Sequence, residues 1–219
     1  MAQPLWKHGD PLLTLHDVEV GREGVRSAPL NWTLHSAERI ALDCPDGAWR
    51  EDLVAILTGS RPPARGYLQE ARTITVQTDT HLWESMALSR SIQDYLEAPD
   101  MPQHVRLGDR RRALWVLLDQ MEITPAMTRR PLKLEPPVVQ RRFWAVRFLL
   151  SRAQLLIGDG IFREQDGPLR AGLQRRWPDL TACVLALAPP HLLPGPVDTR
   201  VRLSAEGFVR EPAAAPGAL

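Results

Sequence analysis

The chain has 219 residues, 44% hydrophobic and 24% charged, enough for one well-buried core with room for a small second subdomain. Its 27 Lys and Arg against 26 Asp and Glu leave a net charge of +1, which removes any electrostatic argument for a nucleic-acid or strongly anionic partner. Only two cysteines occur, Cys44 and Cys183, each in or beside an apolar run, which excludes a cysteine metal cluster and fits reduced, structural thiols in the cytoplasm better than a disulfide framework.

The first ten residues, with Pro4, Lys7, His8 and Asp10, lack the apolar stretch of a leader, and residues 1–10 read as an N-terminal extension. No apolar run approaches the roughly 20 residues of a membrane span. Any membrane connection must then come through another subunit. Alternation at Leu13, Leu15, Val18 and Val20 predicts a strand over Leu12 to Val20, and Pro29 to His35 and Arg39 to Asp43 predict two more. After the turn at Pro45, Asp46 and Gly47, helical spacing of Leu53, Val54, Ile56 and Leu57 predicts a helix from Arg50 to Thr58, stopped by Gly59. Gly66 to Leu68 and Thr73 to Gln77 read as short strands.

From Glu84 to Leu150 the pattern is helical, with helices expected over Ser85 to Leu96, Asp109 to Met121 and Val138 to Ser151, punctuated by prolines at 99, 102, 125, 131, 136 and 137. Alternation then returns. Ala153 to Ile157 and Thr181 to Ala188 read as buried strands, Pro168 to Trp177 as a helix, and Val201 to Leu203 with Gly207 to Val209 as a terminal hairpin. The Ala, Pro and Gly-rich residues 211–219 read as a disordered tail. The order gives an α/β core over residues 11–83 and 151–210, interrupted by a helical subdomain over 84–150.

Several stretches along this order resemble the motifs of ATP-binding cassette (ABC) ATPases. Cys44, Pro45, Asp46, Gly47, Ala48, Trp49, Arg50, Glu51 and Asp52 stand where that family's phosphate loop reads Gly, Pro, Asn, Gly, Ala, Gly, Lys, Ser, Thr. In such a loop backbone N–H groups close around phosphates, the lysine reaches the β and γ oxygens and the hydroxyl holds magnesium. Here Trp49 replaces a glycine, Arg50 the lysine, and Glu51 and Asp52 the hydroxyl residues. Two acids repel a triphosphate, and the expected alternative role for Glu51 and Asp52 is to cap the helix N-terminus. Arg50 leaves weak anion binding open.

Leu155 to Asp159 resembles the Walker B strand, in which the aspartate orients magnesium and the next glutamate polarises water; Gly160 replaces that glutamate. Losing a general base typically costs about 10² to 10⁴ in rate. Asp166 matches the D-loop aspartate or simply caps the next helix, and Gln77 matches the Q-loop glutamine. At the signature stand Leu134, Glu135, Pro136, Pro137 and Val138, where two prolines remove N–H donors and an acid replaces serine. Ala188, Pro189 and Pro190 occupy the place of the switch histidine, His191 falls too late, and the adenine-stacking aromatic expected near Gly21 or Arg22 is missing. The six histidines (8, 16, 35, 81, 104, 191) show no metal-ligand spacing.

The resemblance implies an α/β fold: a RecA-like P-loop NTPase core of ABC ATPase type, an antiparallel β subdomain and a helical insertion. It also implies a pseudo-ATPase with no catalytic residue, no bound metal and no cofactor. Such a subunit would dock onto a membrane permease or a second ABC ATPase, or pair as a homodimer, in the cytoplasm and peripheral to the inner membrane. The alternative is a diverged active ATPase binding ATP and Mg through Arg50, Asp159 and Gln77.

Overall fold

A computed structural model describes residues 7–22, 25–44, 47–97, 107–163 and 165–211. The expectations for Pro45, Asp46, His104, most of the N-terminal extension and residues 212–219 of the tail lie outside the described residues.

The chain opens with β1 (Pro11–Val18), the two-residue strands β2 (Gly21–Arg22) and β3 (Val25–Arg26), β4 (Leu30–His35) and β5 (Arg39–Asp43). Helix α1 (Gly47–Leu57) follows, then β6 (Tyr67–Glu70) and β7 (Val76–Thr78). Strands β1, β4 and β6 form an antiparallel sheet in the order β4-β1-β6, with Leu15 of β1 opposite Trp32 on one side and Leu68 on the other. Alternation sends Leu13 and Leu15 inward while Thr14 and His16 remain partly accessible, so one face is buried and the other wet.

Helices α2 (Asp79–Glu84), α3 (Ile92–Glu97), α4 (Leu107–Gln120), α5 (Pro125–Thr128) and α6 (Pro137–Leu149) make up an arm between β7 and β8 (Leu155–Gly158). After β8 come α7 (Gly160–Arg163), α8 (Gly167–Arg176), β9 (Cys183–Ala186), and the closing hairpin β10 (Thr199–Ser204) and β11 (Gly207–Glu211). The main sheet runs β11-β10-β5-β9-β8-β7, parallel from β10 to β7, with β11 antiparallel at one edge.

The central parallel strands β5, β8 and β9 are buried on both faces, as crossover connections require. Ile40, Leu42, Leu155, Ile157, Cys183 and Leu185 pack toward α1 and the antiparallel sheet. Their neighbours Ala41, Leu156, Val184 and Ala186 pack toward α6, α8 and the arm. The sheet is thus the middle of three layers, and the carboxyl ends of β5, β7 and β8 open onto a common rim. Cys183 sits in this core, where burial pushes its thiol pKa up and leaves it unreactive.

Two boundaries depart from expectation. The helix expected over Ser85 to Leu96 is confined to α3: α2 ends at Glu84, residues 85–91 are not helical, and each helix has its own start. Thr78 caps α2 by accepting from the His81 N–H at 2.9 Å. Ser91 accepts from the Asp94 N–H at 3.1 Å while the Asp94 carboxylate accepts from the Ser91 N–H at 2.7 Å, a reciprocal box opening α3. Helix α1 begins at Gly47, three residues before the expected start. Its stop is as expected: Gly59 takes φ +72° and its N–H donates to Ile56 O at 3.0 Å.

Candidate functional site

The early start of α1 changes what the acids of the loop do. Glu51 and Asp52 lie in its second turn rather than at its start, and the expected capping role is corrected for Asp52. Its carboxylate, 5% exposed, points sideways, accepts from the Gly21 N–H of β2 at 2.6 Å and ion-pairs with Arg61. Trp49 makes a second tie to the same hairpin. Its indole is 7% exposed and donates from Nε1 to Val25 O at 3.1 Å. Gly21, at φ +117°, is needed beneath it: a Cβ there would stand 2.3 Å from Val25 O and 2.7 Å from Trp49 Nε1. The first turn of α1 is thus closed on one side by β2 and β3.

On the other side Arg50 faces the carboxyl end of β8. Its guanidinium lies 3.4 Å from Asp159 Oδ2, while Arg163 Nε donates to Asp159 Oδ1 at 2.5 Å. Arg163 also donates to Leu187 O at 3.1 Å, at the end of β9. Asp159 is therefore held between two arginines, one from each flanking helix.

The residue that organises this rim is Asp79, which is only 2% exposed. Its Oδ2 accepts the N–H groups of Asp159 at 2.9 Å and Ile161 at 3.0 Å, and its Oδ1 accepts that of Thr80 at 2.8 Å. Burial pushes its carboxyl above the ordinary value, opposed by these N–H donors and reinforced by the Asp159 charge. Its own carbonyl accepts from Trp144 Nε1 of α6 at 2.7 Å. Sequence reasoning missed it. The signal was present two residues past Gln77, in the Thr78 cap followed by an acid at the first helical position.

Gln77 lies on β7 beside Thr78, to whose carbonyl its amide donates at 3.3 Å. Arg50, Gln77, Asp79 and Asp159 line one cavity of about 700 Å³ between α1, β7 and α2, whose floor includes Val54, Val76 and Ile157. The rest of the motif residues stand apart from it. Asp166 caps α8, accepting from the Leu169 N–H at 2.8 Å, and accepts from Arg142 Nε of α6 at 2.9 Å. Pro136 and Pro137 open α6 with no side-chain cap, and Glu135, 4% exposed, pairs with Arg130 at 3.3 Å. Gly160 is the first residue of α7, and His191 is exposed in a short 3₁₀ turn.

No protein-family model matches the chain, and no curated protein matches it in sequence. Solved structures do. The layered arrangement is that of a RecA-like P-loop nucleoside triphosphatase core. More narrowly, it is the fold of ABC transporter ATP-binding domains. The chain superposes on an ATP-binding subunit of an ABC transporter with TM-score 0.68 at 16% identity, covering 91% of this chain and 89% of that one. A dimeric ATP-binding cassette in a post-hydrolysis state with ADP and phosphate gives 0.67 at 13% identity, over 91% and 98%. A bacterial Atm1-family ABC exporter with ATP bound gives 0.68 at 13% identity, covering 94% of this chain but 39% of the exporter. Among the described residues, no helix is long and apolar enough to cross a membrane.

Proposed function

We propose that the chain is a non-catalytic, ABC ATPase-like subunit that docks onto membrane-embedded or ATPase subunits of an ABC transport system. The observation that carries this reading is the pairing of Arg50 with Asp159. These are the residues matched to the phosphate-binding lysine and the magnesium-orienting aspartate, and here they are bonded to each other, with Asp159 further held by Arg163. A triphosphate would have to separate them while also meeting the carboxylates of Glu51 and Asp79, which line the same cavity. Mg-ATP therefore does not fit the residues present. With Gly160 at the glutamate position, no side chain there activates water.

The docking surface is assigned to the helical insertion over residues 84–150, next to which Trp83 is 38% exposed and within which Trp115 is 42% exposed. Partners are a permease subunit, a second ATPase or a second copy of the chain, with the protein cytoplasmic and peripheral to the inner membrane. Thermal unfolding with and without Mg-ATP tests the nucleotide half of this reading. A binding nucleotide at 100 times its Kd stabilises by about 2.7 kcal/mol, which would raise the midpoint by roughly 5–10 °C in a chain of this size. We expect no shift, together with co-purification with a membrane complex.

A second reading has its own supporting observation: Arg50, Gln77 and Asp159 line a single cavity. It is a diverged ATPase that opens the Arg50 pair on binding. Saturable ATP hydrolysis abolished by Asp159→Asn would establish it over the first.

A further inference from the structure

In the site described above, the carboxylate of Asp79 and the indole of Trp144 meet around position 160, and each is used up by protein partners. Asp79 belongs to the β7–α2 junction, where the chain leaves the sheet for the helical arm. Its carboxylate takes the N–H groups of Asp159 and Ile161, from the turn between β8 and α7. Its carbonyl takes the indole N–H of Trp144, from the middle of α6. One residue thus joins three elements: the exit of the arm, the carboxyl end of a central strand, and the long helix that returns to the core. Arg147, one turn along α6, repeats the link by donating to Leu82 O of α2 at 2.7 Å.

The same contacts crowd position 160. A Cβ built on Gly160 would stand 3.1 Å from Trp144 Cη2 and 3.9 Å from Asp79 Oδ2. A larger group there must displace the indole, and a carboxylate would in addition approach the buried Asp79. Trp144 has little room to yield. It is 8% exposed and packs edge-on against Trp83 at 5.4 Å between ring centroids.

We propose, on the reading of the chain as a non-catalytic subunit, that Asp79 and Trp144 form an internal lock that joins the helical arm to the core without nucleotide. The lock leaves tight space at 160, which favours glycine there and links the missing glutamate to the fixed arm. The arm is held in a single orientation by the chain's own groups, and the protein offers its partner a constant docking shape rather than a cycling one.

Hydrogen–deuterium exchange on the full chain tests this, comparing wild type with Asp79→Ala and with Trp144→Phe, which keeps the ring but removes the indole donor. The expected result is exchange faster by roughly tenfold in both α2 and α6, with β5, β9 and β10 unchanged, and no recovery on adding Mg-ATP. Unchanged exchange in α6 of both variants overturns the lock. If Asp79→Ala does not fold, Asp79→Asn, which keeps one acceptor oxygen, supplies the same comparison. A second measurement addresses position 160. Gly160→Ala should lower the melting temperature in the wild-type background and lower it less in a Trp144→Leu background, and equal losses in the two overturn the coupling. Saturable ATP hydrolysis by wild type, lost in Asp159→Asn, would defeat the non-catalytic reading by itself, whereas unchanged α6 exchange without any ATP hydrolysis would defeat only the lock.

Discussion

Two helix starts at the carboxyl edge of the main sheet, those of α1 and α7, are closed in different ways. The first is closed by side chains of its own helix: Trp49 and Asp52 reach sideways to the β2–β3 hairpin. The second is closed from 80 residues away, because Asp79 inserts its carboxylate where the N–H groups of the turn point. A turn filled locally can be suspected from its motif, since the wrong residues stand in the motif itself. A turn filled from a distance leaves only an absence at the site, here Gly160, and the compensating residue lies elsewhere in the chain.

The largest expected effect is on the locally filled turn. Trp49→Ala removes a buried indole from between α1 and the hairpin and should cost about 3–5 kcal/mol, read by urea unfolding at constant m. A loss below about 1 kcal/mol would mean that the hairpin does not close the turn. For the distantly filled turn, Asp79→Asn replaces one acceptor oxygen by a donor facing N–H groups, and a cost of about 2 kcal/mol is expected.

The pH dependence sharpens the same comparison. The folded-state pKa of Asp79 is raised above 3.8 by burial, so the folded protein holds this proton more tightly than the unfolded chain does. The stabilising contribution is fully present below the unfolded value and is lost as pH rises through the folded one. The stability of wild type relative to Asp79→Asn should therefore grow on acidification across that window, and a difference independent of pH would contradict the assigned burial effect. Trp49→Ala should show no such trend.

Smaller effects belong outside the two turns or at their exposed edges. Asp166→Ala removes the N-cap of α8 and should cost about 1 kcal/mol. Arg50→Ala breaks a pair in which both side chains are 28% exposed, so less than about 1 kcal/mol is expected in thermal unfolding. That small cost makes Arg50→Ala the cleanest variant for asking whether the pair obstructs nucleotide. On the proposed reading it remains unresponsive to Mg-ATP, because the carboxylates of Glu51, Asp79 and Asp159 still line the cavity.

Much of this was legible in the sequence because the signals are local. Period-two alternation located β1, β4 and β5, a continuous apolar run located β8 and β9, and Pro137 marked the start of α6. The substitutions in the phosphate loop were equally plain as residue identities. Their partners were not. Asp52 could be read as a helix cap only while α1 was started at Arg50, and the Ser85 to Leu96 helix was carried back over residues 85–91 because apolar spacing outweighed the box at Ser91 that starts α3.

The sequence by itself determined the order of the elements, the α/β class and the loss of the motif residues, since each depends on neighbours within a turn or a strand. Only the tertiary structure decided what replaced them: Arg50 against Asp159, Asp52 against Gly21, and Asp79 against the turn after β8. Those contacts join residues 31 to 109 positions apart, in a rim that exists only once parallel strands distant in the chain lie side by side, and no local pattern encodes that proximity.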